Sequence, residues 1–210
     1  MMMSFSSSSI VRRVRYGKPI VVVSGLPRSG TSLTMKMLEA GGVPILSDGI
    51  RQADISNPKG YYEFEPVKAL DKGGDVAWLA DARGKAVKII SLLLTWLPET
   101  YNYQVIFMRR DIGEAIASQE EMLRHRNEPS GQRDSDQVER AYAAHLDKVA
   151  RFLSKRGCFS TLMVDHRDAV TNSHETALRI AEFLGRPLDT DRMAGVADLA
   201  LYRNRAKVEV

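Results

Sequence analysis

The sequence predicts an α/β domain of three layers, α/β/α, around a central, mainly parallel sheet of about five strands. Three observations lead there. Short, unalternating β-branched or apolar runs such as Ile20-Val21-Val22-Val23 and Val105-Ile106-Phe107-Met108 read as strands buried on both faces of a parallel sheet. Between such runs, apolar residues recur at helical spacing, and strand and helix alternate as parallel crossovers require. Both runs end in a short polar turn that opens directly into a helical pattern.

Taken in order, residues 1 to 9, MMMSFSSSS, are low in complexity and lack the apolar stretch of a signal peptide. Arg12, Arg13, Arg15 and Lys18 follow without an acid, so residues 1–18 are expected to be a disordered basic tail before one domain, 19–205. After the first strand and its turn, Leu33, Met37 and Leu38 mark a helix, and Val43-Pro44-Ile45-Leu46 reads as a short edge strand. Ala86 to Ile90 is a further strand. Val105 to Met108 is followed by a helix with Ile112, Ala115, Ile116, Met122 and Leu123 on one face. Residues 127 to 135 are the most polar internal stretch and read as a mobile loop. Val138, Ala141, Tyr142, Val149, Phe152 and Leu153 then give a long packed helix over 135 to 156, and Ser160 to Val164 a last strand. Asn172 and Glu175 resemble a capping box before a helix that Gly185 and Pro187 end. Leu201 to Lys207 reads as a solvated basic tail. No internal repeat or domain linker is visible.

Composition agrees with one domain. The chain has 210 residues, 44% of them hydrophobic, within the range of a single core. No apolar run approaches the roughly 18 residues of a membrane span, so stable membrane insertion is not expected. The formal charge of +4 resides in Arg12, Arg13, Arg15 and Lys18, because the other 26 Lys and Arg are matched by 26 Asp and Glu. The basic balance therefore describes a tail and not a nucleic-acid surface, although such a tail could touch an anionic membrane or an acidic partner. Cys158 is the only cysteine, which excludes an intrachain disulfide and a cysteine-rich metal site and fits a cytoplasmic location.

The chemistry begins at Gly25-Leu26-Pro27-Arg28-Ser29-Gly30-Thr31-Ser32-Leu33. Gly25 and Gly30 have the spacing of a phosphate-binding loop, G-x-x-x-x-G-K-[ST], whose glycines let backbone N–H groups turn toward phosphate oxygens. Ser32 takes the hydroxyl position, but Thr31 stands where a triphosphatase keeps its lysine. The turn lies between a strand end and a helix start, where the macrodipole and the first N–H groups favour an anion.

Pro27-Arg28-Ser29-Gly30-Thr31-Ser32 resembles the P-[KR]-S-G-T-[ST] loop of sulfotransferases that use 3'-phosphoadenosine 5'-phosphosulfate, PAPS. The resemblance, to bacterial-type sulfotransferase-like proteins of the P-loop fold, implies that Arg28, Ser29, Gly30, Thr31 and Ser32 hold the 5'-phosphosulfate. It also gives Arg28 the charge on the transferring group. Downstream, Arg110 and Ser118 have the spacing R-x7-S, which resembles that family's site for the donor's 3'-phosphate. Arg109 is the less suitable ligand, because the register with the family falls on Arg110.

An acceptor proton needs a base. Cytosolic members of the family place lysine and histidine in a K-T-H motif; here Lys88-Ile89-Ile90 keeps the lysine and loses the histidine. Asn57-Pro58-Lys59-Gly60-Tyr61-Tyr62-Glu63 resembles the N-P-x-G-Y-[YWF]-E segment of bacterial members, which makes Glu63 the favoured base, provided that apolar neighbours raise its pKa, with Glu65 behind it. A carboxylate there serves equally well as a helix cap or a lysine's partner. His145 lies on the apolar face of the long helix, where a hydrogen-bonded core histidine is the commoner outcome. His125, His166 and His174 have no i, i+4 pairing that would make a zinc site, so no metal is expected. The cytosolic members' R-K-G closing segment is absent, and nothing in the sequence equates Arg203 or Arg205 with it.

The expected activity is sulfuryl transfer from PAPS to a hydroxyl or amine on a small-molecule or peptide acceptor, with Arg28, Glu63 and Lys88 catalytic. Two alternatives stand beside it: a protein that binds PAPS or adenosine bisphosphate without catalysis, and a P-loop small-molecule kinase, against which Thr31 argues.

Overall fold

The first β-branched run becomes strand β1, Ile20–Gly25, with every residue buried. A computed structural model of the chain describes residues 7–50, 60–125 and 135–198. The other strands are β2, Ala86–Lys88; β3, Tyr103–Arg109; and β4, Phe159–Asp165. All pair in parallel, in the order β2-β1-β3-β4. The helices are α1 (Ser7–Tyr16), α2 (Thr31–Ala40), α3 (Trp78–Asp81), α4 (Ile112–His125), α5 (Ser135–Ser154), α6 (His166–Thr171), α7 (Ser173–Leu184) and α8 (Thr190–Gly195), with 3-10 helices at Glu65–Lys72 and Ser91–Trp96.

Because side chains alternate along a strand, the sheet feeds two cores. Ile20, Val22, Val105 and Phe107 face the layer of α3, α5 and the two 3-10 helices. Val21, Val23, Ile106 and Met108 face α2, α6, α7 and α8. Each fully buried aliphatic or aromatic side chain contributes about 1.5 to 3 kcal/mol, which is why runs with no polar alternation are needed here. The α/β/α architecture is thus the one the sequence predicts.

Four strands form where about five were expected. Val43 to Leu46 is reduced to a single bridge, Ile45 to Ala86. Pro44 has no N–H to give a ladder and contributes only its carbonyl, which accepts from Ala86 N–H at 2.8 Å.

The expected disorder over 1–18 is corrected for Ser7–Tyr16, which is α1. Arg13 and Arg15 lie in its last turn, where cations favour the helix dipole. Tyr16 packs against the first core, and Asn102 Nδ2 donates to the Gly17 carbonyl at 3.1 Å. The capping box also fails: the Asn172 side chain makes no cap hydrogen bond, whereas Gly185, at φ 61, closes α7 as expected. Residues 1–6, Asn57 to Lys59, the polar stretch 127–134, and Leu201 to Lys207 with Arg203 and Arg205 lie outside the described residues.

The strand order positions the site. From β1 the chain adds β2 on one side and β3 then β4 on the other. The winding reverses between β1 and β3, and a crevice at the carboxyl ends of such strands is where open parallel sheets bind ligands.

Candidate functional site

Gly25, at φ 152, ends β1 where no side chain fits: a Cβ there would stand 2.3 Å from Ser29 Oγ and 2.6 Å from the Met108 carbonyl oxygen. Arg28 follows in the left-handed region, φ 67, and Gly30, φ 97, caps α2. Two long-range bonds hold Arg28 there. Its Nε donates to Ser118 Oγ at 3.1 Å, and its carbonyl accepts from Arg110 Nη1 at 3.0 Å. The two sequence motifs are therefore one hydrogen-bonded unit at the switch point.

Within the turn, Ser29 N–H donates to the Leu26 carbonyl at 3.2 Å, and its hydroxyl is buried against Gly25. Ser29 thus builds the inside of the turn, although it was expected among the residues that hold the phosphosulfate. The first intrahelical bond runs from Thr34 N–H to the Gly30 carbonyl, 3.1 Å. By position, the N–H groups of Thr31, Ser32 and Leu33 have no preceding helical carbonyl to bond, and they form the anion-facing end of α2.

The Arg110 side chain and Ser118 are both buried. Arg110 Nε donates to Glu114 Oε2 at 2.9 Å, and the two side chains are 8% and 7% exposed. That pair fixes the guanidinium under the turn, because a buried charge without its partner is costly. Arg109 points elsewhere: its Nη2 bonds Asp165 Oδ2 at 2.7 Å on the exposed edge.

Across the turn lies the segment from Gly60 to Phe64. The buried Tyr61 presents its carbonyl to two donors, Lys88 Nζ and, at 3.4 Å, Ser32 Oγ. Lys88 Nζ also lies 5.8 Å from the centre of the Tyr61 ring. Register pairs Lys88 with Val23, so the ammonium stands at the carboxyl edge beside the turn. Tyr62, at φ 52, donates to Glu39 Oε2 at 2.6 Å and pins the segment to α2. Burial, and then Glu39, push the Tyr62 phenol above its ordinary pKa.

Glu63, two residues from the shared carbonyl, has its Oε2 3.5 Å from Lys68 Nζ. Glu65 is more than half exposed and bonds the same Lys68 at 2.8 Å. The structure therefore brings together Arg28, Gly30, Thr31, Ser32, Lys88, Arg110 and Ser118, places Glu63 beside them on the Tyr61 segment, and leaves Glu65 in solvent.

No known family matches the chain, and no curated protein matches it. Among solved structures, a sulfotransferase domain from the curacin biosynthetic pathway is similar at 17% identity, covering 83% of this chain and 76% of that one, with a TM-score of 0.48.

Two residues of the site were not picked out in the sequence. Glu114 had a signal, since it lies four residues after Arg110, the spacing of a helical ion pair. His166 had a fainter one. It follows β4 directly, and residues just past parallel strands stand at the ligand edge. A Cβ on Gly30 would come within 2.4 Å of His166 Cδ2, so the ring packs on the turn. Burial pushes the His166 pKa down to about 4; Arg110 and Arg28 act in the same direction and Glu114 opposes them. His145 is a half-buried, hydrogen-bonded histidine: its Nε2 lies 2.9 Å from Ser91 Oγ, and burial lowers its pKa.

Among the described residues, no group of three or more His, Cys, Asp or Glu could hold a metal ion, and no helix is long and apolar enough to cross a membrane.

Proposed function

We propose that this protein is a sulfotransferase that moves a sulfuryl group from PAPS to a hydroxyl or amine of a small-molecule or peptide acceptor in the cytoplasm. The observation that carries the reading is the interlock of Arg28 with Ser118 and Arg110, which lie 90 and 82 positions away in sequence and meet at the switch point. A turn with phosphate-loop spacing but no lysine, tied to an R-x7-S pair, suits a donor with one phosphate in the loop and a second beside it.

In this scheme the N–H groups of Gly30, Thr31 and Ser32 take the 5'-phosphate at the positive end of α2. Arg110 and Ser118 take the 3'-phosphate, and the bonds from Arg110 to Glu114 and to the Arg28 carbonyl fix the orientation of its guanidinium. The acceptor oxygen or nitrogen forms a bond to sulfur in line as the bond from sulfur to the 5'-phosphate oxygen breaks. The acceptor proton passes to the Glu63 carboxylate. The products are the sulfated acceptor and adenosine 3',5'-bisphosphate. Arg28 and Lys88 face the negative charge that grows on the leaving oxygen, so the scheme calls for no metal.

A second reading, binding of the nucleotide without catalysis, is favoured by two observations: Ile90 stands where the K-T-H histidine would, and Glu63 is paired with Lys68. Thr31 leaves the kinase reading without its phosphate-bridging lysine.

Thermal-shift titrations with adenosine bisphosphate, PAPS and ATP-magnesium, followed by turnover of labelled PAPS over a panel of acceptors, decide among these. The expected result is stabilisation by the first two ligands and turnover that Arg28→Ala lowers by about 10²- to 10³-fold, with bisphosphate affinity changed only a few-fold. Glu63→Gln should lower kcat at unchanged bisphosphate affinity. No response to bisphosphate or PAPS would refute the proposal, and binding without turnover selects the second reading.

A further inference from the structure

His166 is only 8% exposed, and the sulfuryl-transfer scheme leaves it without a role. It begins α6 directly after β4, at the sheet edge that also carries the turn and Arg110. Its ring lies against Gly30, the residue whose left-handed backbone sends the chain into α2. The charged groups that act on the ring are Arg110, just past β3, Glu114 of α4 and Arg28 of the turn. On its own side, Asp165 is held by Arg109 at 2.7 Å. Burial and the two guanidiniums keep the imidazole neutral, with a pKa near 4.

We propose that His166 is a positioning residue that couples occupancy of the anion turn to a proton: the ring is neutral beside Arg28 and Arg110, and it takes up a proton when a phosphate dianion settles on the N–H groups of Gly30 to Ser32. This rests on the functional reading above and deepens it. Because the ring packs on Gly30, an anion on those N–H groups would bind beside it, and its negative charge would oppose the effect of burial and of the two guanidiniums. The protonated ring then adds a cation to the surroundings of the phosphate. By linkage, binding that raises the pKa of a group is tighter at low pH, and that gain is lost as pH rises through the bound-state pKa. The ring thereby favours a fully charged phosphate over a neutral occupant, and it holds the Gly30 turn by contact in either state.

Adenosine 3',5'-bisphosphate serves as the probe on the full chain. The four histidines give separate ring signals in proton–carbon correlation spectra, which single replacements of His125, His145 and His174 assign by elimination. Without the probe, His166 should titrate well below the ordinary histidine range; with it, about one unit or more higher. Calorimetry near pH 4.5, between the free and bound titrations, in buffers of different ionisation enthalpy, should show more protons taken up per bisphosphate bound by the wild type than by His166→Gln. A His166 titration unmoved by bisphosphate overturns the inference and leaves the functional reading standing. A wild-type protein that binds no bisphosphate overturns both. Should His166→Gln fold poorly, the wild-type titration still decides.

Discussion

Arg28 carries a left-handed backbone that costs a residue with a side chain about 1 to 2 kcal/mol, and the bonds to Ser118 and from Arg110 hold it there. Non-glycine strain of this kind concentrates where a chain must aim a group. Arg110 contributes in two separable ways. Its ion pair with Glu114 is buried, so Arg110→Met alone leaves a carboxylate without its partner and should destabilise the fold by about 3 to 5 kcal/mol. The double variant Arg110→Met with Glu114→Leu removes both charges, and much of the stability should return in urea unfolding. Bisphosphate binding should not return, since the guanidinium is gone. Recovery of binding in the double variant would mean that Arg110 only supports the turn.

At the scale of elements, caps show which helix ends depend on a side chain. The Asp189 carboxylate accepts from the Arg192 N–H at 3.0 Å at the start of α8. Asp189→Ala should therefore cost about 1 kcal/mol. Asn172 makes no such bond at the start of α7, so Asn172→Ala should lie within about 0.5 kcal/mol of wild type. Equal losses in thermal unfolding would contradict the assigned caps. The sequence pointed to Asn172, because Asn172 and Glu175 have capping-box spacing, and the cap at Asp189 was not read from it. The edge strand at Val43 failed for a reason also visible in the chain: Pro44 lies in its middle, and a proline there leaves one bridge.

Across the whole molecule, burial of His166 makes stability depend on pH in a defined window. Its folded pKa near 4 lies below the unfolded value near 6.5, so between those values the unfolded chain binds the extra proton. Stability from this group is fully present above about pH 6.5 and is lost as pH falls toward 4, by about 3 kcal/mol in all. His145, also lowered by burial, acts in the same direction. Urea midpoints should fall from pH 7 to pH 4.5, and His166→Gln should flatten that slope. An equal slope in the variant would place the titrating group elsewhere.

The sequence by itself determined the layers and the turn. Unalternating strands such as Ile20 to Val23 are stable only between two apolar layers, and the spacing of Gly25 and Gly30 permits little besides a turn at a strand end. It also marked Arg110 and Ser118, because their R-x7-S spacing is a local pattern that resembles a sulfotransferase motif. What only the tertiary structure decided is how separate segments meet. The bond from Arg28 to Ser118, the Tyr61 carbonyl shared by Lys88 and Ser32, and the His166 ring against Gly30 all join residues brought side by side by strand order. No local pattern encodes such contacts, because their partners are set by which strands pair and where the winding reverses.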